Sequence, residues 1–299
     1  MIVESLVDIE CQLGEGPLWD ERNQRVLWVD ILRSRLHQSK ADGRDHLSRS
    51  FPDGITSISA TDDGRFLITT LKEFALLDSF AGSLTTLGGP ESDLPNNRFN
   101  DAKAGAAGEL WAGTMDDQEE TATGSLYRFR ISEGWQKMDS GYVCTNGPAL
   151  SPDGSTLYHT DTFANTIYRF DLSANGQLAE KMPFIVNNGA GFPDGMTVDA
   201  RGNLYVCFWG GSRIEKYSPR GELLDTFDLP TVNVTSATFG GKDYDTLFVT
   251  SAAVGLTIEQ QRAQPLAGHL FALRVGETGL APARVEVNQA NSILQQVGS

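Results

Sequence analysis

The 299-residue chain predicts an all-β fold, a six-bladed β-propeller of four-stranded antiparallel blades around a central channel. Three observations carry that prediction. A turn-then-strand phrase recurs six times, anchored on Leu27, Leu67, Leu110, Leu157, Leu204 and Leu247, at spacings of 40, 43, 47, 47 and 43 residues. A period of about 40–50 residues with several strands per unit is the mark of propeller blades. Helical periodicity is nowhere sustained. No linker, low-complexity tract or composition shift divides the chain, so residues 1–299 are expected to form one propeller domain with a polar tail after about Val287. Two stacked β-sandwiches would also give short strands and turns, but not six-fold phasing over the whole length.

The elements follow in order. The phrases occupy residues 20–29, 61–69, 106–113, 151–159, 199–206 and 241–249. In each, Gly, Asp or Asn residues lead into a β-branched and aromatic run, the signal of a turn feeding a strand. Third strands follow at residues 125–130, 166–171, 212–217 and 268–274, and a more variable fourth strand leads to the next unit. The fifth unit is the clearest. Asp194 stands between Pro193 and Gly195 at a strand entrance, then comes the tight turn 199–202, then an apolar run from Leu204 to Trp209. A ring of sheets must close, because an open sheet exposes an unpaired edge. Residues 2–8 are therefore expected to complete the blade that begins around Asn233.

Composition narrows the function. An apolar content of 40% is ample for a core and 21% charged residues is ordinary. The net charge of −15 argues against a nucleic-acid or anionic-membrane partner, whose phosphates would be repelled. The N-terminus has no basic segment followed by an apolar core, as a secretory signal would, and no apolar run reaches the length of a membrane span. Cys11, Cys144 and Cys207 are scattered and odd in number, which suits a reducing compartment. A cytoplasmic protein, monomeric or weakly dimeric, is expected.

In a propeller the first strand of each blade lines the channel, so residues at one phase of the repeat converge on the axis. Ten to twelve positions before the anchors stand Glu15, Asn100, Asn146 and Asp194. Blades two and six offer hydroxyls there, around Thr56-Ser57 and Thr235-Ser236. Alone, Glu-Gly, Asn-Gly or Asp-Gly is an ordinary turn dipeptide; four such positions at a common phase point to a site. Two carboxylates and two carboxamides, with no facing lysine cluster, suit a hard divalent cation. Other chemistries lack their motifs. There is no Gly-x-Ser-x-Gly elbow, and His37, His46, His159 and His269 show no metal-ligand spacing. His159 reads as core and the other three as surface. The tryptophans read as core packing, and mid-strand Cys207 as inert.

The phrases at 13–17, 98–101, 112–115, 145–147, 151–154, 193–196 and 235–243 together resemble the gluconolactonase/regucalcin (senescence marker protein) family. The resemblance implies hydrolysis of a sugar-acid lactone, such as glucono-, xylono- or arabinono-lactone, to the open-chain aldonate. It implies one catalytic divalent metal ion (Ca, Zn, Mg, Mn or Fe) bound by Glu15, Asn146 and Asp194. It implies substrate contacts from Arg98 and Asn100, with Asp101 beside them. Where animal regucalcins carry a glutamate after the Gly-Thr-Met phrase, the equivalent here is placed at Gln118. Asp194 is expected to double as the base that takes a proton from the attacking water. Two other readings stay open: a metal-dependent aryl-ester or phosphotriester hydrolase, and a non-enzymatic calcium-binding regulator.

Overall fold

The computed structural model describes residues 2–287. Among them, six four-stranded antiparallel sheets make the six blades, as the leucine spacing predicts. The inner strands are Gly14–Asp20, Ser57–Ala60, Asn97–Ala104, Thr145–Leu150, Phe192–Val198 and Val234–Gly240. The six anchor leucines all fall in the second strand of a blade and are all buried. Ring closure follows expectation: Val3–Val7 is the outer strand of the sixth blade, antiparallel to Leu270–Leu273. The one helix among these residues, Ile258–Ala263, is a single capped excursion in that blade, with Thr257 and Gln260 forming a capping box.

Six apolar clusters hold the ring together, one between each pair of neighbouring blades. Leu27, Val29 and Leu36 of blade one meet Ile58, Ile68 and Leu77 of blade two, and so on round the ring to Trp19 and Trp28 against Phe248 and Leu270. Sheet faces rich in large side chains bury best against each other, which is why strands of blades rather than their edges carry the core.

The inner strands share an irregularity that matters for function. In five of the six, pairing with the second strand breaks at the same phase: after Glu15, Phe99, Asn146, Pro193 and Val234. Blade two pairs without interruption. A bulge leaves residues unpaired and re-aims their side chains. The motif glycines make it feasible: Gly16 and Gly147 adopt φ of +49° and +37°, and a Cβ at Gly147 would lie 2.8 Å from the Met196 nitrogen.

One segment had no signature in the sequence. Residues 276–287 run across the lower mouth of the channel, donating or accepting backbone hydrogen bonds with Tyr244, Ala200, Ala60, Asp62 and Gly108 in turn. Leu280 to Arg284 cover a cavity of about 340 Å³ there. The predicted polar tail beyond Val287 lies outside the described residues.

Two expectations about side chains need correcting. His37 and His269 are buried rather than surface residues: His37 packs in a three-ring cluster with Trp28 and His46, and His269 bridges Ser5 and Asp8 at the closing strand. Trp135 and Trp209 are not core; Trp209 lines the upper mouth. His159 is buried as predicted, with neither ring nitrogen partnered among the described residues, and Cys207 lies buried mid-strand.

Candidate active site at the upper channel mouth

The bulges bring Glu15, Asn100, Asn146 and Asp194 to one cavity of about 370 Å³ at the upper mouth. All four are buried. Arg98 joins them from the blade-three strand. Its Nε donates to Asp117 at 2.6 Å, and its Nη1 donates to the Phe99 carbonyl and to Asn100 Oδ1 at 3.0 and 2.9 Å. From there a chain of hydrogen bonds crosses three blades. Asn100 Nδ2 donates to Asn146 Oδ1 (2.9 Å) and to the Thr145 carbonyl (2.8 Å). Asn146 Nδ2 donates to Thr162 Oγ1 (2.9 Å), and that hydroxyl donates to the Pro193 carbonyl (3.0 Å), next to Asp194. The chain fixes both amide orientations and turns Asn146 Oδ1 toward the same space as the carboxylates.

The carboxylates are held against their own repulsion. Burial, then the neighbouring Asp194 and Asp101 charges, pushes Glu15 well above the usual carboxylate range. Asp194 is raised likewise, by burial first and Asp101 second. Gly16 N–H donates to Glu15 Oε2 at 3.1 Å, but no donor among the described residues reaches the buried Asp194 Oδ1. A buried carboxylate oxygen without a partner is costly unless something positive meets it. The donors here, two carboxylates and an amide oxygen, are hard oxygens of the kind divalent cations take. The residues present therefore fit the metal expected from the sequence.

Two expected substrate contacts sit elsewhere. Asp101 turns away from the cavity and accepts from Ala102 N–H and Gly147 N–H at 2.8 and 2.9 Å, tying blade three to blade four beneath the site. Gln118 does not line the cavity; the flanking Asp117 and Glu119 do. Asp116 is the reason. Its carboxylate accepts from the backbone N–H of Gln118, Glu120 and Thr121, curling the loop so that alternate side chains face inward, with Glu119 at φ +59°. The sequence reading also overlooked a cation. Lys103, two residues after Asp101 and on the same strand face, lines the lower cavity, and its charge opposes the upward shift of Asp101. Thr162, Phe163 and Trp209 were missed as well, because they come from the ends of second strands outside the repeat phase, and Phe192 because, though in phase, it is not a polar donor.

Fold and site define a class: a six-bladed propeller with a carboxylate-rich, oxygen-donor centre at one channel mouth. The chain belongs to the SMP-30/gluconolactonase/LRE-like family, whose model matches residues 13–253. It is 34% identical to a pentonolactonase (XacC) of Haloferax volcanii, over 96% of this chain and 99% of that protein. It is 32% identical to a 6-deoxy-6-sulfogluconolactonase of Pseudomonas putida, over 90% of this chain and 93% of the other. Among solved structures, the calcium-binding protein regucalcin of Agrobacterium tumefaciens superposes with a TM-score of 0.90 at 30% identity, covering 95% of this chain and 97% of that one.

Proposed function

We propose that this protein is a lactonase that opens the ring of a sugar-acid lactone, giving the aldonate, with the help of one divalent metal ion. The observation that carries the reading is the unpartnered Asp194 Oδ1, buried beside Glu15 and Asn146 at the mouth of a sugar-sized cavity. Membership of a family whose curated relatives bear lactonase names supports it.

Glu15, Asn146 and Asp194 would hold the ion. Bound there, it would polarise the lactone carbonyl and offset the repulsion among the carboxylates. Asp194 would have a second task, to accept the proton of the attacking water through the carboxylate oxygen that does not hold the ion. Asn100, locked by Arg98 on one side and Asn146 on the other, presents a fixed amide edge to the sugar. Arg98 has spent Nε and Nη1 on protein partners, which leaves Nη2 for a ring oxygen or hydroxyl. No nucleic acid or membrane enters this chemistry, and no helix among the described residues is long and apolar enough to cross a membrane. Three buried, unpaired cysteines agree with a cytoplasmic setting.

Proton release from glucono-, xylono- and arabinono-lactone tests the reading. Wild type should turn over at least one of them. Asp194→Ala should lose both activity and bound metal while its circular dichroism stays native, because the blades build the site without that side chain. Near-native turnover in the variant, with metal retained, would overturn the assignment.

A further inference from the structure

The upper mouth has two unlike walls, and the reaction accounts for one of them. Blade three supplies the polar wall: Arg98, Asn100, Asp117 and Glu119. The rest of the mouth carries apolar side chains from blades four, five, six and one: Phe163, Phe192, Trp209, Val254, Leu13 and Leu32. Several of these side chains are left in water. Leu32 is 54% exposed, Phe163 43% and Phe192 38%, and the two phenylalanine rings lie 6.0 Å apart at the rim. Exposed large apolar groups gathered round a cavity mark a binding surface. Neither proton transfer nor cation binding has a use for them.

The charge on the polar wall is equally specific. Asp117 lies 2.6 Å from the Arg98 guanidinium, so the cation is already matched. Glu119 has no ion-pair partner among the described residues. The wall facing an incoming substrate is therefore net acidic by the charge of Glu119, while the cation proposed above offsets the two carboxylates of the floor.

We infer that the preferred substrate is an uncharged lactone that is apolar at its terminal carbon: a deoxy-aldonolactone, with its ring hydroxyls on blade three and its methyl end on the Phe163–Phe192 pair. This rests on the lactonase reading above. Replacing a terminal hydroxymethyl by methyl relieves the cost of burying a hydroxyl and places a hydrocarbon group on an apolar surface. An anionic terminus such as a sulfonate would be drawn out of water onto a surface that cannot pair it, within the field of Glu119.

The experiment compares kcat/KM for three lactones of one hexonic acid: the parent, its 6-deoxy analogue and its 6-sulfo analogue. The 6-deoxy compound should exceed the parent by roughly three- to five-fold, the value of one methyl group on an apolar surface. The sulfonate should fall roughly ten-fold or more below it, with part of the loss relieved by salt. Phe163→Ala should bring the deoxy-to-parent ratio toward one, and Glu119→Gln should raise the sulfonate rate selectively. A wild-type ratio of one or less for the deoxy compound, or a sulfonate handled as well as the parent, would overturn the inference and leave the lactonase reading intact. Failure on every lactone would remove both.

Discussion

At the residue scale, the site depends on side chains that are oriented before any substrate arrives. Arg98 is the clearest case. It is forked between Asp117, Phe99 and Asn100, a geometry that a planar guanidinium can satisfy and an ammonium cannot. Arg98→Lys keeps the charge and loses the fork. A hydrogen bond from a charged donor is worth about 1.5–3 kcal/mol, so kcat/KM on an aldonolactone should drop roughly 10–150-fold. On a simple lactone without hydroxyls the loss should be much smaller. Equal losses on both would mean that Arg98 supports the loop and does not touch the sugar.

At the scale of the element, the repeated bulge turns a structural strand into a functional one. Gly147 shows what it requires. Its left-handed φ and the 2.8 Å approach to Met196 both exclude a Cβ, and its N–H anchors Asp101. Gly147→Ala should cost more than about 1 kcal/mol and lower the thermal midpoint. Gly141→Ala is the control: φ is also positive there, but nothing lies within 4 Å of a Cβ. The loss at 147 should be clearly the larger, and equal midpoints would contradict the role given to the bulge. The bulge also explains what could be read in advance. Glu15, Asn100, Asn146 and Asp194 were legible because five of the six blades repeat the same break at nearly the same distance from a buried leucine. Thr162, Phe163 and Trp209 were not, because they end or follow second strands, whose ends vary from blade to blade. Gln118 was misplaced by one position either way, since the curl of its loop is set by Asp116 and not by any periodicity. The strap at 276–287 was invisible for a related reason. It binds five partners through single backbone hydrogen bonds and isolated bridges, which leave no pattern of side chains.

At the scale of the whole molecule, the channel gathers carboxylates that the fold alone would disfavour. Glu15 and Asp194 have their pKa raised in the folded protein, so between the ordinary carboxylate range and their raised values the native state binds more protons than the unfolded one. These two carboxylates make the metal-free protein less stable as pH rises through that window. Asp63 and Asp153, whose pKa is lowered, act in the opposite sense only below the ordinary range. His37 and His159, lowered to about 3 by burial, also act in the opposite sense, up to the ordinary histidine range. The carboxylate contribution is therefore read as a difference: from near pH 5.5 to near pH 7.5, the thermal midpoint of metal-free Asp194→Asn should gain more, or lose less, than that of metal-free wild type. Equal pH dependence in the two would contradict the strain assigned to the site.

The account turns on one joint measurement, metal content and turnover followed together on the same sample. After chelation, aldonolactone hydrolysis should be lost. Re-addition of a suitable divalent ion should restore it in proportion to occupancy and level off at one equivalent per chain, with Asp194→Ala neither binding the ion nor recovering. Full turnover by protein shown to be free of metal would contradict the central claim that Glu15, Asn146 and Asp194 are gathered to hold a catalytic cation.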